Sequence, residues 1–144
     1  MRIKDANLNE EVQDIHLSEY GYYYFFKDFI VAEINQGVSY NWEAAKDVIE
    51  AAYKHYGNDI SVCYITNRVN KYSVNPADWL KFFKQEHSLN GYAIVSYTER
   101  SWINATLEKL FLNTKVEHFT DLKQAIKWAK KRNLKVNSEK ALAK

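Results

Sequence analysis

One stretch, residues 59–69, constrains the fold of this chain more than any other. It reads Asp-Ile-Ser-Val-Cys-Tyr-Ile-Thr-Asn-Arg-Val, rich in β-branched and apolar residues and without Pro or Gly. It is too short for a buried helix and is typical of a strand covered on both faces. The sequence turns polar at Thr66, and the carboxyl end of a central strand is where an open α/β sheet usually holds a ligand or partner.

Strand-like and helix-like segments alternate on both sides of this stretch. The runs 21–26 and 29–34 flank Lys27-Asp28 and predict a hairpin. Further strands are predicted at 92–97 and 115–119. Capping and periodicity predict helices after Asn41, after Asn75, after Thr98 or Ser101, and after Thr120. In the third helix, which is expected to end near residue 111, the residues predicted to face inward are Ile103, Leu107, Leu110 and Phe111.

The order β-β-α-β-α-β-α-β-α predicts an α/β fold with a mixed sheet of about five strands and four helices. A length of 144 residues suits one domain with one core. We expect a polar lead-in over 1–20 without regular structure, a single domain over 21–132, and a basic, disordered tail over 133–144.

The distribution of charge and the number of cysteines limit which partners and which cellular compartment we expect for this protein. Residues 123–144 hold eight Lys or Arg and one acid, so the remaining chain is mildly acidic and is not expected to attract nucleic acid. The single cysteine, Cys63, excludes a disulfide within the chain and is expected to act as a small buried hydrophobe. No secretory leader and no run of about 20 apolar residues is present, so we expect a cytoplasmic protein without membrane insertion.

The standard catalytic and cofactor motifs are missing from the sequence. It contains no GxGxxG, P-loop, CxxC, HExxH or GxSxG pattern. The four histidines lie in separate segments without the spacing of metal ligands. We therefore expect no catalytic residues, metal or cofactor, and a protein that is not an enzyme.

Polar residues after two predicted parallel strands form a candidate binding rim. Parallel strands bring their carboxyl ends to one edge of the sheet, where arginines and helix N-termini could hold an anion or a partner. Ordinary helix capping is the alternative explanation of the same residues. The predicted rim comprises Thr66, Asn67, Arg68, Tyr72, Ser73, Thr98, Arg100 and Ser101.

Several segments together resemble the SpoIIAA-like proteins of Bacteroidetes-type bacteria, which are small relatives of the STAS domain. The resemblance covers about residues 20–131 and rests on the runs 25–37, 64–69, 79–83 and 108–112 together with the order of elements. It implies a SpoIIAA/STAS-like fold. In the anti-sigma-factor antagonists of that fold, phosphorylation of a Ser or Thr near the helix after the central strand switches partner binding. The resemblance thus implies Ser73 or Thr66 as phosphorylation candidates.

The leading functional expectation is a non-enzymatic regulatory domain that binds another protein through loop 66–77. Replacing Arg68 or Arg100 with Ala should then weaken partner or anion binding and leave folding nearly intact. The alternative is a carrier or sensor of a small molecule, such as a nucleotide or lipid, which needs a cavity beneath the aromatic residues. A homodimer formed through an exposed edge of the 21–34 hairpin is a further expectation.

Overall fold

In a computed structural model, residues 1–8 and 11–143 are described, and they form a mixed α/β fold with four helices. The strands are β1 (Asp14–Ser18), β2 (Gly21–Phe25), β3 (Phe29–Ile34), β4 (Ser39–Tyr40), β5 (Cys63–Arg68), β6 (Ser73–Val74), β7 (Gly91–Ser96) and β8 (Val116–Phe119). The helices are α1 (Trp42–Tyr56), α2 (Asp78–Lys84), α3 (Glu99–Glu108) and α4 (Leu122–Ala143). Short 3-10 turns cover Ile3–Ala6 and Lys109–Phe111.

Six strands form the main sheet in the order β1-β2-β3-β5-β7-β8. The pairs β1–β2 and β2–β3 are antiparallel, whereas β3–β5, β5–β7 and β7–β8 are parallel. A separate parallel pair joins β4 to β6. This pair ties the segment before α1 to the loop after β5.

The central strands β3, β5 and β7 are buried along their whole length, and their consecutive residues point to opposite faces of the sheet. One core cluster includes Cys63 and Ile65 and packs against α4. The other includes Tyr64 and Tyr92 and packs against α1 and α3. The helices α1, α2 and α3 therefore lie on one face of the sheet, as right-handed crossovers between strands in sequential order require. Helix α4, which follows the last strand, packs on the other face.

The strand count and the ends of the sheet differ from the expectation. Residues 14–18, predicted to be irregular, form β1 and pair along the full length of β2. The 21–34 hairpin is therefore internal, and within the described residues the outer strands of the main sheet are β1 and β8. The prediction of a homodimer through an open hairpin edge loses its basis, because that edge is already paired within the chain.

The helices also correct the expectation at several points. The helix after Pro76 begins at Asp78 and has Ala77, not Asn75, at its N-cap. In α3, Ile103 and Leu107 are exposed, as is Leu110 in the 3-10 turn that follows, and the buried residues of α3 are Ala105 and Glu108. A small residue and an acid face inward there instead of the larger apolar residues.

The tail predicted to be disordered is helical as far as Ala143. Its Asn133 is buried and accepts a hydrogen bond from Asn90 at 2.7 Å. Asn137 and Lys140 also bond to the segments that precede β5 and β7. These hydrogen bonds hold the last turns of α4 against the chain, where the helix no longer has buried apolar residues. No helix in the described part of the chain combines the length and apolar character needed to cross a membrane.

Candidate functional site

A cavity of about 320 Å³ lies between the sheet and the helices α1 and α2. Its sheet wall comes from β3, β5 and β7, and its helix wall includes Ala45, Val48 and Ile49 of α1. Five tyrosines line it, namely Tyr40, Tyr53, Tyr64, Tyr72 and Tyr92. Polar residues at its border, such as Asn41, Asn58 and Glu86, are exposed.

The alternation along β5 places chemistry in this cavity. Tyr64, Thr66 and Arg68 are two residues apart, so they share the face of the sheet that lines the cavity. Asn67 lies on the opposite face and donates to the Glu33 carboxylate at 2.6 Å. The polar end of the central strand is thus divided between two faces, because residues 66–68 belong to the strand and do not follow it.

The inner end of the cavity holds a buried ion pair. Arg68 donates through Nη2 to Glu108 Oε2 of α3, and their side chains are only 6% and 2% exposed. Glu108 Oε1 also accepts from Trp79 Nε1 at 2.8 Å and from the Tyr92 hydroxyl at 2.8 Å. A buried carboxylate needs such partners to offset its lost hydration, and here three donors supply them.

The surroundings fix the charge states of this cluster. Burial opposes the charge of Arg68, but the neighbouring Tyr72, Tyr92 and Glu108 outweigh it and raise the Arg68 pKa well above its ordinary value. Burial, reinforced by the charge of Glu108, raises the pKa of Tyr92 well above its ordinary value. The guanidinium therefore stays charged, and the tyrosine remains a neutral hydroxyl.

The Arg68 side chain still has an unused donor. Its Nε is buried and has no hydrogen-bond acceptor among residues 1–8 and 11–143. The Tyr72 ring lies 5.7 Å from the guanidinium carbon and faces it. A buried N–H without an acceptor is costly, so the burial of this atom opposes the stability that the ion pair with Glu108 contributes.

Helix α2 covers the cavity and is held to the core by Trp79, which packs against the core and donates to Glu108. It contributes Asp78, Trp79 and Phe82 to the lining, yet none of its residues is fully buried. Beyond the helix end, His87 Nδ1 lies 2.8 Å from the Tyr53 hydroxyl of α1. This contact links the end of the covering segment to α1.

The structure brings together only part of the predicted rim. Thr66, Arg68 and Tyr72 line the cavity, but Thr66 and Arg68 are buried and do not form an open rim. The Thr66 hydroxyl lies 3.2 Å from the Tyr92 hydroxyl. That location contradicts an accessible phosphorylation site at Thr66, whereas Ser73 is exposed in β6.

The remaining rim residues lie at the N-terminus of α3. Thr98 Oγ1 accepts from the Ser101 backbone N–H at 3.1 Å, the ordinary capping that was the alternative explanation. Arg100 is exposed. Nearby, the Ser101 hydroxyl donates to Ser96 Oγ at 3.1 Å.

Sequence reasoning missed Glu108, Trp79 and Tyr92 as members of the site. An acid on a helix usually faces solvent, so Glu108 has no obvious signal in the sequence. One pattern could have found it. Ser101, Ala105 and Glu108 recur at helical spacing, so the inward face of α3 is the small and polar one.

The chain was compared with protein-family models, with curated proteins and with solved structures. None of them matches. The resemblance to SpoIIAA-like proteins therefore stays a prediction. In the described residues no group of three or more His, Cys, Asp or Glu is placed to hold a metal ion.

Proposed function

We propose that this protein binds a small, largely apolar molecule in the cavity between the sheet, α1 and α2. The observation that carries the proposal is the cavity itself. At about 320 Å³ it falls within the usual range for ligand sites, roughly 300–1,000 Å³. Its lining combines aliphatic and aromatic walls with one cluster of polar groups, the composition expected of a ligand site.

The size of the cavity indicates the size of the ligand. A cavity of about 150 Å³ lined by apolar side chains accepts benzene. The present cavity has about twice that volume, which suits a bicyclic or slightly larger molecule. The aromatic side chains Tyr64, Tyr92 and Trp79 offer ring faces and edges to such a molecule.

Helix α2 is the proposed route of entry, since none of its residues is fully buried. Its outward movement would break the contacts of Trp79 with the core, including the hydrogen bond to Glu108. A ligand that contacts Trp79 and Phe82 would stabilise the closed position, since both residues line the cavity.

The proposal is tested with naphthalene as a probe, by calorimetry and by transfer of saturation to the ligand in NMR. Ten ring carbons at about 0.5 kcal/mol each predict a dissociation constant of about 0.2 mM. The blocking variant is Ala45→Phe, because Ala45 lines the cavity from α1. Its matched control is Ala141→Phe, which adds the same ring at an exposed position of α4.

The variant Ala45→Phe is expected to fold and to lose naphthalene binding, whereas Ala141→Phe should bind like the wild type. Filling a cavity commonly leaves stability unchanged or raises it. Absence of binding by the wild type up to saturating naphthalene, or equal binding by both variants, would refute the proposal.

A protein-interaction role is a second candidate function, favoured by exposed apolar residues on α3. Ile103 and Leu107 on the outer side of α3 are 54% and 53% exposed, and Leu110 in the 3-10 turn that follows is 78% exposed. Such a stripe is more apolar than a typical surface, and it differs from the predicted loop 66–77. Native mass spectrometry of the protein from its own host should show a stoichiometric complex that Leu107→Glu removes. A bare chain in both cases would argue against this role.

A further inference from the structure

The main sheet ends at an open strand, β8, beside the exposed apolar side of α3. Among the described residues, β8 pairs with β7 and its other side has no partner strand. The Tyr92 N–H donates to the Lys115 carbonyl at 2.9 Å, so the alternate residues Val116 and His118 direct their backbone N–H and C=O groups away from β7. An unpaired strand edge of this kind is a template for a further strand.

Two contacts show how α3 is oriented above this edge. Its Glu108 pairs with Arg68 of β5, and its Trp102 stacks on His118 of β8 with 3.4 Å between the ring centroids. A turn of about 100° per residue places Ile103 beyond Trp102, between the side of α3 that faces β8 and the side that faces solvent. Trp102 and Ile103 are both exposed. The apolar side of α3 therefore borders the open edge of the sheet.

The charges along β8 suit a second copy of the same strand. Two copies related by a two-fold axis pair β8 with β8 in antiparallel orientation. With the axis at Val116, this residue exchanges both backbone hydrogen bonds with its equivalent, and Lys115 of each copy lies opposite Glu117 of the other. No ion pair among the described residues uses Lys115 or Glu117. One register therefore pairs both the free backbone groups and the free charges.

The same register brings the two α3 helices onto one face of the joined sheet. Because α3 packs on β7, the two helices would lie three strand spacings apart, about 14 Å. Helices in direct contact lie about 8–10 Å apart, so large side chains are needed to fill the space between them. Trp102 and Ile103 of both copies supply such side chains above the two β8 strands.

The outer strand at the other end of the sheet, β1, is a weaker candidate for the same contact. Its Ile15 and Leu17 are exposed and share one face of the sheet with Tyr22 and Tyr24 of β2. Helix α4 packs against β3, β5, β7 and β8. Pairing β1 with a second β1 would extend the sheet without covering these exposed side chains, whereas pairing through β8 covers those of α3.

We propose that two copies of this chain associate through β8 and α3, which joins their six-stranded sheets into one. The inference rests on the second candidate function, because it names a second copy as the partner of the apolar residues on α3. It does not depend on the ligand proposed for the cavity.

Sedimentation equilibrium of the full chain and of charge variants tests this proposal. One short strand and one helix form a small interface, so the measurement extends to a chain concentration of about 0.5 mM. The wild type should be a reversible dimer. The variants Lys115→Glu and Glu117→Lys each place like charges opposite one another, and each should weaken association about tenfold or more. An equimolar mixture of the two variants restores both pairs of opposite charge and should form a heterodimer with nearly wild-type affinity.

The contribution of α3 is tested by a matched pair of neighbouring substitutions. Ile103→Glu places a carboxylate between the two helices and should weaken association about tenfold or more. Asn104→Glu adds the same carboxylate at an exposed position about 100° further around the helix, on the side away from β8. This control should associate like the wild type.

The outcomes separate this inference from the proposed functions. A wild-type chain that stays monomeric over the whole range would overturn the dimer and would leave the ligand site and another protein partner for α3 in place. A dimer that both charge variants retain, or single variants that do not associate when mixed, would overturn the contact through β8. Loss of the dimer in Leu17→Lys but not in Ile103→Glu would place the contact at β1 instead.

Discussion

Removing the Arg68 side chain tests the central electrostatic feature of this fold. In the variant Arg68→Ala, Glu108 loses the only cation that is paired with it among the described residues. The carboxylate keeps the N–H of Trp79 and the hydroxyl of Tyr92 as donors. It nevertheless remains at 2% side-chain exposure without a compensating charge, which is unfavourable in a site of low polarity.

The size of the effect follows from the burial of both partners. Breaking a buried ion pair by removing one partner typically costs about 3–5 kcal/mol. Domains of this kind have a total stability of about 5–15 kcal/mol, so the variant is expected to fold but with a much smaller margin. Each kcal/mol shifts the melting temperature by about 3–4 °C in a chain of this length, so a decrease of about 10–20 °C is expected.

Urea and thermal unfolding followed by circular dichroism measure this loss. Arg100→Ala is the matched control, because the same side chain is exposed there and its removal should cost less than about 0.5 kcal/mol. The double variant Arg68→Met/Glu108→Gln removes both charges and keeps an acceptor for Trp79 and Tyr92. It should recover at least about 2 kcal/mol of the loss.

Equal stability of Arg68→Ala and Arg100→Ala would refute this reasoning. It would restore the expectation from the sequence, in which both arginines lie at an open rim and neither supports the fold. Failure of the double variant to recover stability would show that the cost comes from lost packing of the arginine side chain and not from the unpaired carboxylate.

Three further outcomes follow from the structure. Gly21→Ala should lower the free energy of unfolding in urea by at least about 2 kcal/mol, because the added Cβ would overlap the backbone of β3. The control Gly37→Ala has open space at its Cβ and a φ near +80°, and should cost about 1 kcal/mol. Equal costs would contradict the overlap. Burial and nearby positive charges lower the pKa of His118 to about 4. As the pH falls, this histidine is protonated in the unfolded chain before it is protonated in the folded one, so the free energy of unfolding should decrease between about pH 6.5 and about pH 4. An NMR titration that gives an ordinary histidine pKa would rule this out. Asn133→Ala should cost about 1–3 kcal/mol because it removes the acceptor of a buried amide, and the control Leu134→Ala at an exposed position should cost little; a disordered tail would make both substitutions neutral.

The local patterns of the sequence were sufficient for the main elements. The apolar stretch around Cys63 is a central strand covered on both faces, and α1 begins after Asn41, whose side chain accepts from the Ala44 backbone N–H. Cys63 is buried, and burial raises its pKa to about 12. Strand propensity, capping and burial of a thiol depend on neighbours along the chain, so they can be read from the sequence.

The edges of the sheet and the inward face of α3 could not be read in this way. β1 has little apolar content, and it becomes a strand because the exposed edge of β2 offers it hydrogen-bond partners. In α3 the larger apolar residues are exposed and Glu108 is buried. A sequence-based assignment buries the more apolar face, and here that rule selects the wrong side.

The sequence alone determined the alternation of strands and helices, the central position of residues 63–68 and the presence of polar side chains at the end of that strand. Only the tertiary structure decided what those side chains do. Arg68 meets a carboxylate 40 residues away in sequence, and this pairing makes it a buried group of a cavity instead of a solvent-exposed rim. The physical reason is that burying a charge depends on its partners in space, which spacing along the chain does not specify.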